Sequence, residues 1–257
     1  MKLGFLGTGA ITSSIVTGLN SARGQERPIR LSPRNSAVAA DLANRFPHVS
    51  VASTNQEVVD DSGTVIVAVR PQIAQDVLSG LRFRADQNVI SLVAGFSLRR
   101  IAGLVSPATR VTRAVPLPST AKRRCPTAIF PRDPVTFELF SSLGAAFEVD
   151  TENEFNALCT ATATMAAYFA FAECVASWLA RQGIPKDEAR DYIAQIYSGL
   201  AAAATEAPGL SFQSLAVDHA TPGGTNQQIV ADLTKNGVFE SLSDALDAVM
   251  RRVTATN

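Results

Sequence analysis

The opening residues, MKLGFLGTGAITSSIVTGL, constrain the fold more than any other part of the chain. A short apolar run, Leu3 to Leu6, meets Gly7-Thr8-Gly9 directly, and a helical pattern starts just after it. A strand that turns straight into a helix needs residues without a Cβ at the tightest points, which glycine supplies. The same geometry leaves backbone N–H groups unpaired at the helix start, where they attract negative charge. The turn therefore reads in two ways, as a plain strand-to-helix connection or as a pyrophosphate cradle. Its position inside a strand–turn–helix unit favours the cradle.

The first half of the chain repeats this alternation. LGFL, IRLS, TVIVAV, NVISLV, RVTRAV and TAIF are rich in Val and Ile and bounded by Gly, Pro, Asn or Asp, the signature of strands. Helical patterns cover Ile11 to Asn20, Ser36 to Arg45, Ile73 to Leu81 and Leu98 to Val105. Nearly continuous apolar strands alternating with helices predict a parallel sheet covered on both faces. Past Val149 no further β-rich run follows, and alanine-rich helical stretches continue to the C-terminus. The expected fold is α/β, a doubly wound parallel sheet over residues 1–150 followed by an all-helical domain over 151–257. Within the first of these, AVPLPSTAKRRCPTAIFPRDP, with its repeated prolines, separates Arg113 from the next helix at about Val135 and reads equally as a linker or as the wall of a cleft.

Charge excludes some partners. The chain has 23 basic and 23 acidic residues, so no net field draws it to nucleic acid or to an anionic membrane. Three cysteines, an odd number without CxxC spacing, fit a reduced, cytoplasmic setting. Two distant histidines, His48 and His219, give no basis for a metal site. The start lacks the basic segment, apolar core and small-residue site of a secretory leader. One helix, roughly Glu152 to Arg181, is apolar almost all round and nearly long enough to span a membrane. Its threonines, Glu173 and the lack of a basic flank near its start argue instead for burial by other helices or a second subunit.

The chemistry-bearing residues lie where strands end. After the second strand, Leu31-Ser32-Pro33-Arg34-Asn35 offers a hydroxyl and a guanidinium where an acid would accept from a ribose 2′-hydroxyl. Ser32 and Arg34 thus suit a 2′-phosphate and predict NADP(H) over NAD(H), the other reading being an exposed turn arginine. The strand Val65 to Val69 ends in Arg70-Pro71, and the next ends Leu92-Val93-Ala94-Gly95, both where a ligand lies in an open α/β sheet. In the helical half, HATPGGTNQQIVADL breaks the chain at Pro222-Gly223-Gly224 and places Thr225 and Asn226 at a helix N-terminus. That reads as a simple cap or as an anion site for a carboxylate.

With these residues in view, GFLGTGAITSSIVTGL, LSPRN, STNQEVV, VIVAVRPQ, VISLVAGFSLRRI and ATPGGTNQQIV resemble pyrroline-5-carboxylate reductase in order and spacing. The resemblance covers nearly the whole chain. It implies a Rossmann domain, a helical domain that dimerises by interlocking, and hydride transfer to a cyclic imine carboxylate in proline biosynthesis. By position it implies Gly7, Thr8, Gly9, Ala10 and Ile11 on the pyrophosphate, Ser32 and Arg34 at the 2′-phosphate, and Asn55 near the adenosine. Ala68, Val69, Arg70 and Pro71 would line the nicotinamide half with Val93, Ala94 and Gly95. Thr221, Pro222, Gly223 and Gly224 would bind the substrate carboxylate across a homodimer or larger homo-oligomer, with Thr225 and Asn226 in the catalytic positions.

The departures from the family gather on the substrate side. Thr221 stands for the family's Ser and Asn226 for its second Thr, while Leu117 stands for an Asn that would line the cleft. Ala163 to Tyr168, or a register one residue away, stands for Gly-Ser-Gly-Pro-Ala-Tyr. Two other functions fit the same framework. A β-hydroxyacid dehydrogenase needs a lysine on the first long helix of its second domain, and here none occurs between Lys122 and Lys186. A non-catalytic NADP-binding regulator would tolerate the changes at Leu117 and Asn226. An imine, which is readily protonated at nitrogen, needs no such lysine, so the sequence favours imine reduction.

Overall fold

A computed structural model describes residues 2–21 and 27–255. By its internal contacts the chain divides into one unit running to Cys159 and rejoined by the stretch from Arg251, and a second unit, Thr160–Met250.

The first unit is built on a single eight-stranded sheet. In chain order it contains β1 (Leu3–Leu6), α1 (Ala10–Asn20), β2 (Ile29–Leu31), α2 (Ser36–Arg45), β3 (Val49–Val51), α3 (Asn55–Asp60), β4 (Thr64–Val67) and α4 (Pro71–Ser79). There follow β5 (Asn88–Ser91), α5 (Leu98–Leu104), β6 (Arg110–Val115), the short 3₁₀ helix η1 (Pro118–Lys122), β7 (Cys125–Phe130), α6 (Pro134–Ser141), β8 (Gly144–Glu148) and α7 (Glu152–Ala161). The strand order is β3-β2-β1-β4-β5-β6-β7-β8. Side chains that alternate along each strand explain the two cores. Leu3, Phe5, Ile66 and Ile90 pack on one face, and Leu6, Val65, Val67 and Val89 on the other. Every residue of β1 and of β4 is buried, as a central parallel strand requires.

Three features differ from the sequence expectation. β3 and β8 are additional strands: VSV is very short and GAAFE lacks β-branched residues, so neither carries a strand signal. β7 runs antiparallel to β6, so the sheet is mostly rather than wholly parallel. The link from Val115 to Cys125 is too short for a parallel crossover, which takes about a dozen residues or more. The proline-rich segment is not a free linker. Its η1 lies directly on α1, where a Cβ on Gly18 would stand 2.2 Å from the Thr120 carbonyl oxygen, and the chain then returns as β7.

The start of α7 is held by a buried cation. Arg113 on β6 donates to Glu152 Oε1 at 2.6 Å and lies 4.4 Å from the Phe155 ring centroid. Glu152 Oε1 also accepts from the Leu98 N–H at 2.7 Å, at the first turn of α5. One carboxylate thereby serves both an arginine and the first N–H of α5, whose N-cap Ser97 accepts from the Arg100 N–H.

The second unit is helical, with α8 (Thr164–Arg181), α9 (Lys186–Glu206), α10 (Phe212–Asp218), α11 (Thr225–Lys235) and most of α12 (Val238–Ala255). The single helix expected over 152–181 is two, broken by a turn at 162–163. There Ala163 N bonds Thr160 O and Met165 N bonds Thr162 O, a tightened i to i+3 pattern. Among the described residues only Glu152–Arg181 is long and apolar enough to cross a membrane, by length and composition. Tyr197 on α9 packs against Tyr168 and Phe171 of α8, with ring centroids 5.8 and 6.2 Å away. No residue of α8 is buried within the single chain.

Candidate active site

Five parallel strands, β3, β2, β1, β4 and β5, lie side by side and deliver their carboxyl ends to one edge of the sheet. At that edge a cleft of about 630 Å³ opens above the β1–α1 turn. It is of the size that takes a small molecule or a cofactor half. Gly7, Thr8 and Gly9 form its floor, Arg34 one side, and Ala68, Val69 and Arg70 the other. Asn35, Gln72 and Ile73, which the sequence reading did not single out, line it as well.

The turn has the shape its glycines allow. Gly7 has φ +97°, and a Cβ there would stand 2.5 Å from the Ala68 carbonyl oxygen, so the β1 and β4 ends approach closely only because it has none. At Gly9 a Cβ would meet nothing within 4 Å, which leaves the space above the loop open. Gly9 is also the N-cap of α1 and contributes no side-chain cap. The N–H groups of Gly9, Ala10 and Ile11 accordingly have no acceptor among the described residues. Unpaired N–H groups under an open cleft fit the pyrophosphate of a dinucleotide.

Thr12, where the family pattern has a small residue, is fully buried and donates to Gly7 O at 2.7 Å. Asn35 follows β2 in the left-handed region, φ 62°, which asparagine tolerates better than most residues. Its Nδ2 donates to Thr8 O at 3.0 Å.

The sequence expectation pairs Ser32 with Arg34 as ligands of one phosphate, and in the structure the two differ in exposure. Ser32 is 1% exposed, and its Oγ accepts from Gly7 N at 2.9 Å beneath the turn. Arg34 is exposed on the cleft and makes no ion pair among the described residues. Arg70 is the N-cap of α4 and also exposed, with Pro71 at the first helical position. Asn55 opens α3 beyond β3, next to the N-cap Thr54, and does not line the cleft. Beyond β5, Val93 is a core residue, Ala94 is exposed and Gly95 turns with φ +71°.

The substrate-side motif is a helix start of a different kind from a side-chain cap. Gly224 is the N-cap of α11, with Thr225 and Asn226 as its first two residues, and no side chain caps it. Gly223 has φ +72°, its N–H donates to Gln227 Oε1 at 2.7 Å, and Gly224 N donates to Thr221 O at 2.8 Å. Asn226 Nδ2 donates to His219 O at 2.8 Å, tying the end of α10 to the start of α11. The simple-cap reading of Thr225 and Asn226 is therefore corrected: neither side chain caps α11. Leu117 precedes η1, with its N–H on Cys125 Sγ at 3.0 Å. Ala163 to Tyr168 opens α8 after the turn at 162–163. Among the described residues no group of three or more His, Cys, Asp or Glu is placed to hold a metal ion.

Comparison with known proteins meets this geometry in both halves. Residues 2–95 match the family described as NADP oxidoreductase coenzyme F420-dependent, and residues 152–256 match that described as pyrroline-5-carboxylate reductase dimerisation. The chain is 28% identical to a pyrroline-5-carboxylate reductase of Pisum sativum, over 97% of its own length and 94% of the relative's. These matches in both halves, with relatives along nearly the whole chain, support the pyrroline-5-carboxylate reductase family.

Solved structures carry the same fold. The 1-pyrroline-5-carboxylate reductase of Streptococcus pyogenes superposes with a TM-score of 0.84 at 24% identity, covering 99% of this chain and 98% of the other. A pyrroline carboxylate reductase of Plasmodium falciparum, solved with NADP bound, gives 0.83 at 18% identity, covering 100% and 98%. In a pyrroline-5-carboxylate reductase the two matched halves are a Rossmann-like nucleotide domain and a helical dimerisation domain, which are the sheet unit and the helices described above.

Proposed function

We propose that this protein catalyses the NAD(P)H-dependent reduction of pyrroline-5-carboxylate to proline, with NADPH as the preferred donor. The observation that carries the reading is the cleft over the β1–α1 turn, with its uncapped helix start and flanking arginines, in a chain whose full length resembles such reductases. NADPH, when bound, supplies a hydride to the imine carbon. Everything else falls to the protein. The Gly9, Ala10 and Ile11 N–H groups receive the pyrophosphate. Arg34 faces the adenosine end and offers a charge-assisted bond to a 2′-phosphate. Ala68 to Pro71 and Val93 to Gly95 border the nicotinamide half.

At α11 the Thr225, Asn226 and Gln227 N–H groups are without acceptors among the described residues, and the helix dipole adds to their attraction for the substrate carboxylate. Thr221 to Gly224 shape that pocket, and Thr225 and Asn226 stand in the catalytic positions. One Asn226 N–H group is committed to His219, so its remaining amide atoms orient the ring. Holding a protonated imine against the nicotinamide supplies the acceleration by positioning, without an acid–base lysine. The apolar α8 points to a homodimer that covers it.

The test is steady-state oxidation of NADPH with pyrroline-5-carboxylate, a six-membered cyclic imine acid and the decarboxylated pyrroline. The five-membered acid is expected to have the highest kcat/KM. Equal turnover of acid and decarboxylated imine would remove the carboxylate anchor at α11. Absence of turnover with every imine would overturn the reductase reading.

A further inference from the structure

Arg113 is a buried cation that the proposed reaction leaves unused. It is 3% exposed and pairs in register with Ser91, the last residue of β5. A buried charge is costly unless it is paired and hydrogen-bonded. Three residues of α7 meet that need. Glu152 Oε1 accepts from Arg113 at 2.6 Å and Asn156 Oδ1 at 3.4 Å, and the Phe155 ring centroid lies 4.4 Å from the guanidinium. Positions 152, 155 and 156 share one face of a helix, so the arginine fixes how α7 is turned about its axis. The Glu152 oxygen that it holds has a second task. It accepts the Leu98 N–H at 2.7 Å, across 54 residues, while the hydroxyl of Ser97, the N-cap of α5, is given to the Arg100 N–H.

We infer that Glu152 is a positioning residue: locked by Arg113, it fixes the start of α5 and thereby the turn at 92–97, against which the nicotinamide end of the cofactor lies. The inference rests on the cofactor reading above. The strand order places that end. β1 carries the glycine turn and lies between β2, which leads to Arg34, and β4, with β5 beyond it. A dinucleotide with its pyrophosphate at β1 and its adenosine toward β2 has its other half over β4 and β5. The turn after β5 is fastened at each end. Ser91 Oγ accepts from the Val93 N–H at 3.3 Å, and Glu152 holds Leu98. Between them Phe96 is 4% exposed, with the Arg100 guanidinium 3.6 Å from its ring centroid, and Ala94 is exposed. The tie to Glu152 sets the far end of that turn against β6, and Arg113 sets Glu152.

Titration calorimetry on the full chain tests this with two probes, NADPH and 2′-phospho-ADP-ribose, which is the same molecule without the nicotinamide. Glu152→Ala loses the acceptor of Leu98. It is expected to weaken NADPH by about tenfold, the scale of one hydrogen bond to a charged group, and to leave the truncated probe unchanged. Because that variant strands a buried cation, a second one protects the fold. Glu152→Asp keeps the countercharge but is one methylene too short to serve Leu98 and Arg113 together, and should show the same selective loss. Glu152→Gln presents an oxygen in the same place and should bind NADPH like the parent. Hydrogen exchange at the Leu98 amide should quicken in Glu152→Ala and Glu152→Asp and not in Glu152→Gln. Equal weakening of both probes would make Glu152 merely structural and overturn the inference. Unchanged NADPH binding or unchanged Leu98 exchange in Glu152→Ala and Glu152→Asp would overturn it too, as would a parent that binds both probes equally well. A parent that binds neither probe overturns the cofactor reading instead, while Leu98 exchange still tests the tie to Glu152.

Discussion

Asp133 shows how one side chain ties acid stability to packing. It is the N-cap of α6, followed by Pro134 at the first helical position, a pairing that the sequence displays openly. Burial pushes its pKa up. The Thr136 N–H at 2.8 Å, the Thr136 hydroxyl at 2.9 Å and the Arg110 guanidinium at 3.1 Å more than reverse that and leave it below the ordinary 3.8. A carboxylate with a lowered folded pKa binds protons more readily when unfolded. Its stabilising contribution is therefore complete at neutral pH and is lost as the pH falls below about 4 and through the folded pKa. Asp133→Asn should lower Tm at pH 7 and flatten the decline of Tm between pH 5 and 3, read by thermal melts across that range. Parallel declines in parent and variant would sink the assignment. Cys159 behaves in the opposite sense. Burial pushes its thiol up to about 11, against the pull of Arg113, so it stays protonated and unreactive at neutral pH.

Among the elements, α1 and η1 meet through one missing Cβ. By helix propensity alone, Gly18→Ala would stabilise α1 by roughly 1 kcal/mol. The added Cβ would stand 2.2 Å from the Thr120 carbonyl, a backbone atom that cannot swing aside, and 2.8 Å from Leu143 Cδ2. Overpacking of this kind costs about 1–3 kcal/mol, and a backbone neighbour puts it at the upper end. The packing loss should win, so urea denaturation of Gly18→Ala should show a lower midpoint with an unchanged slope. A higher midpoint would mean that η1 yields easily. Before the structure, Gly18 reads only as a mildly unfavourable residue in a helix. The contact that gives it a purpose comes from a segment about a hundred residues later, whose prolines read equally as a linker or a cleft wall.

At the scale of the whole molecule, the helical half is incomplete as a single chain. Phe169 on α8 is 69% exposed and Phe212 on α10 is 82% exposed, in a region that matches a dimerisation family. Large apolar side chains exposed to this degree point to cover by a partner. An obligate homodimer burying more than about 2,000 Å² is expected, and light scattering at micromolar concentration checks it. A monodisperse monomer would overturn the prediction and, with it, a substrate site shared between subunits. Substitution of Phe169 by Asp should shift the equilibrium to monomer and abolish imine reduction while NADPH still binds.

Local sequence determined what local chemistry can specify. The apolar runs from Leu3, Ile29, Thr64, Asn88 and Arg110 are strands because their periodicity and turn residues leave little choice, and α2 begins and ends where its residues predict. Gly7 and Gly9 announced the turn, since no other residue type suits both its curvature and its open face. Tertiary structure decided whatever depends on partners distant in sequence. Ser32 reads as a ligand when seen beside Arg34, and only the fold buries it and brings the Gly7 N–H to its Oγ. β7 turned antiparallel because η1 packs on α1 and leaves no length for a crossover. Asn226 stands at a helix start in sequence, and only the fold brings the His219 carbonyl to its amide. A propensity is a property of a residue and its neighbours, whereas a hydrogen-bond partner is a property of the closed chain, and these polar side chains took theirs from it.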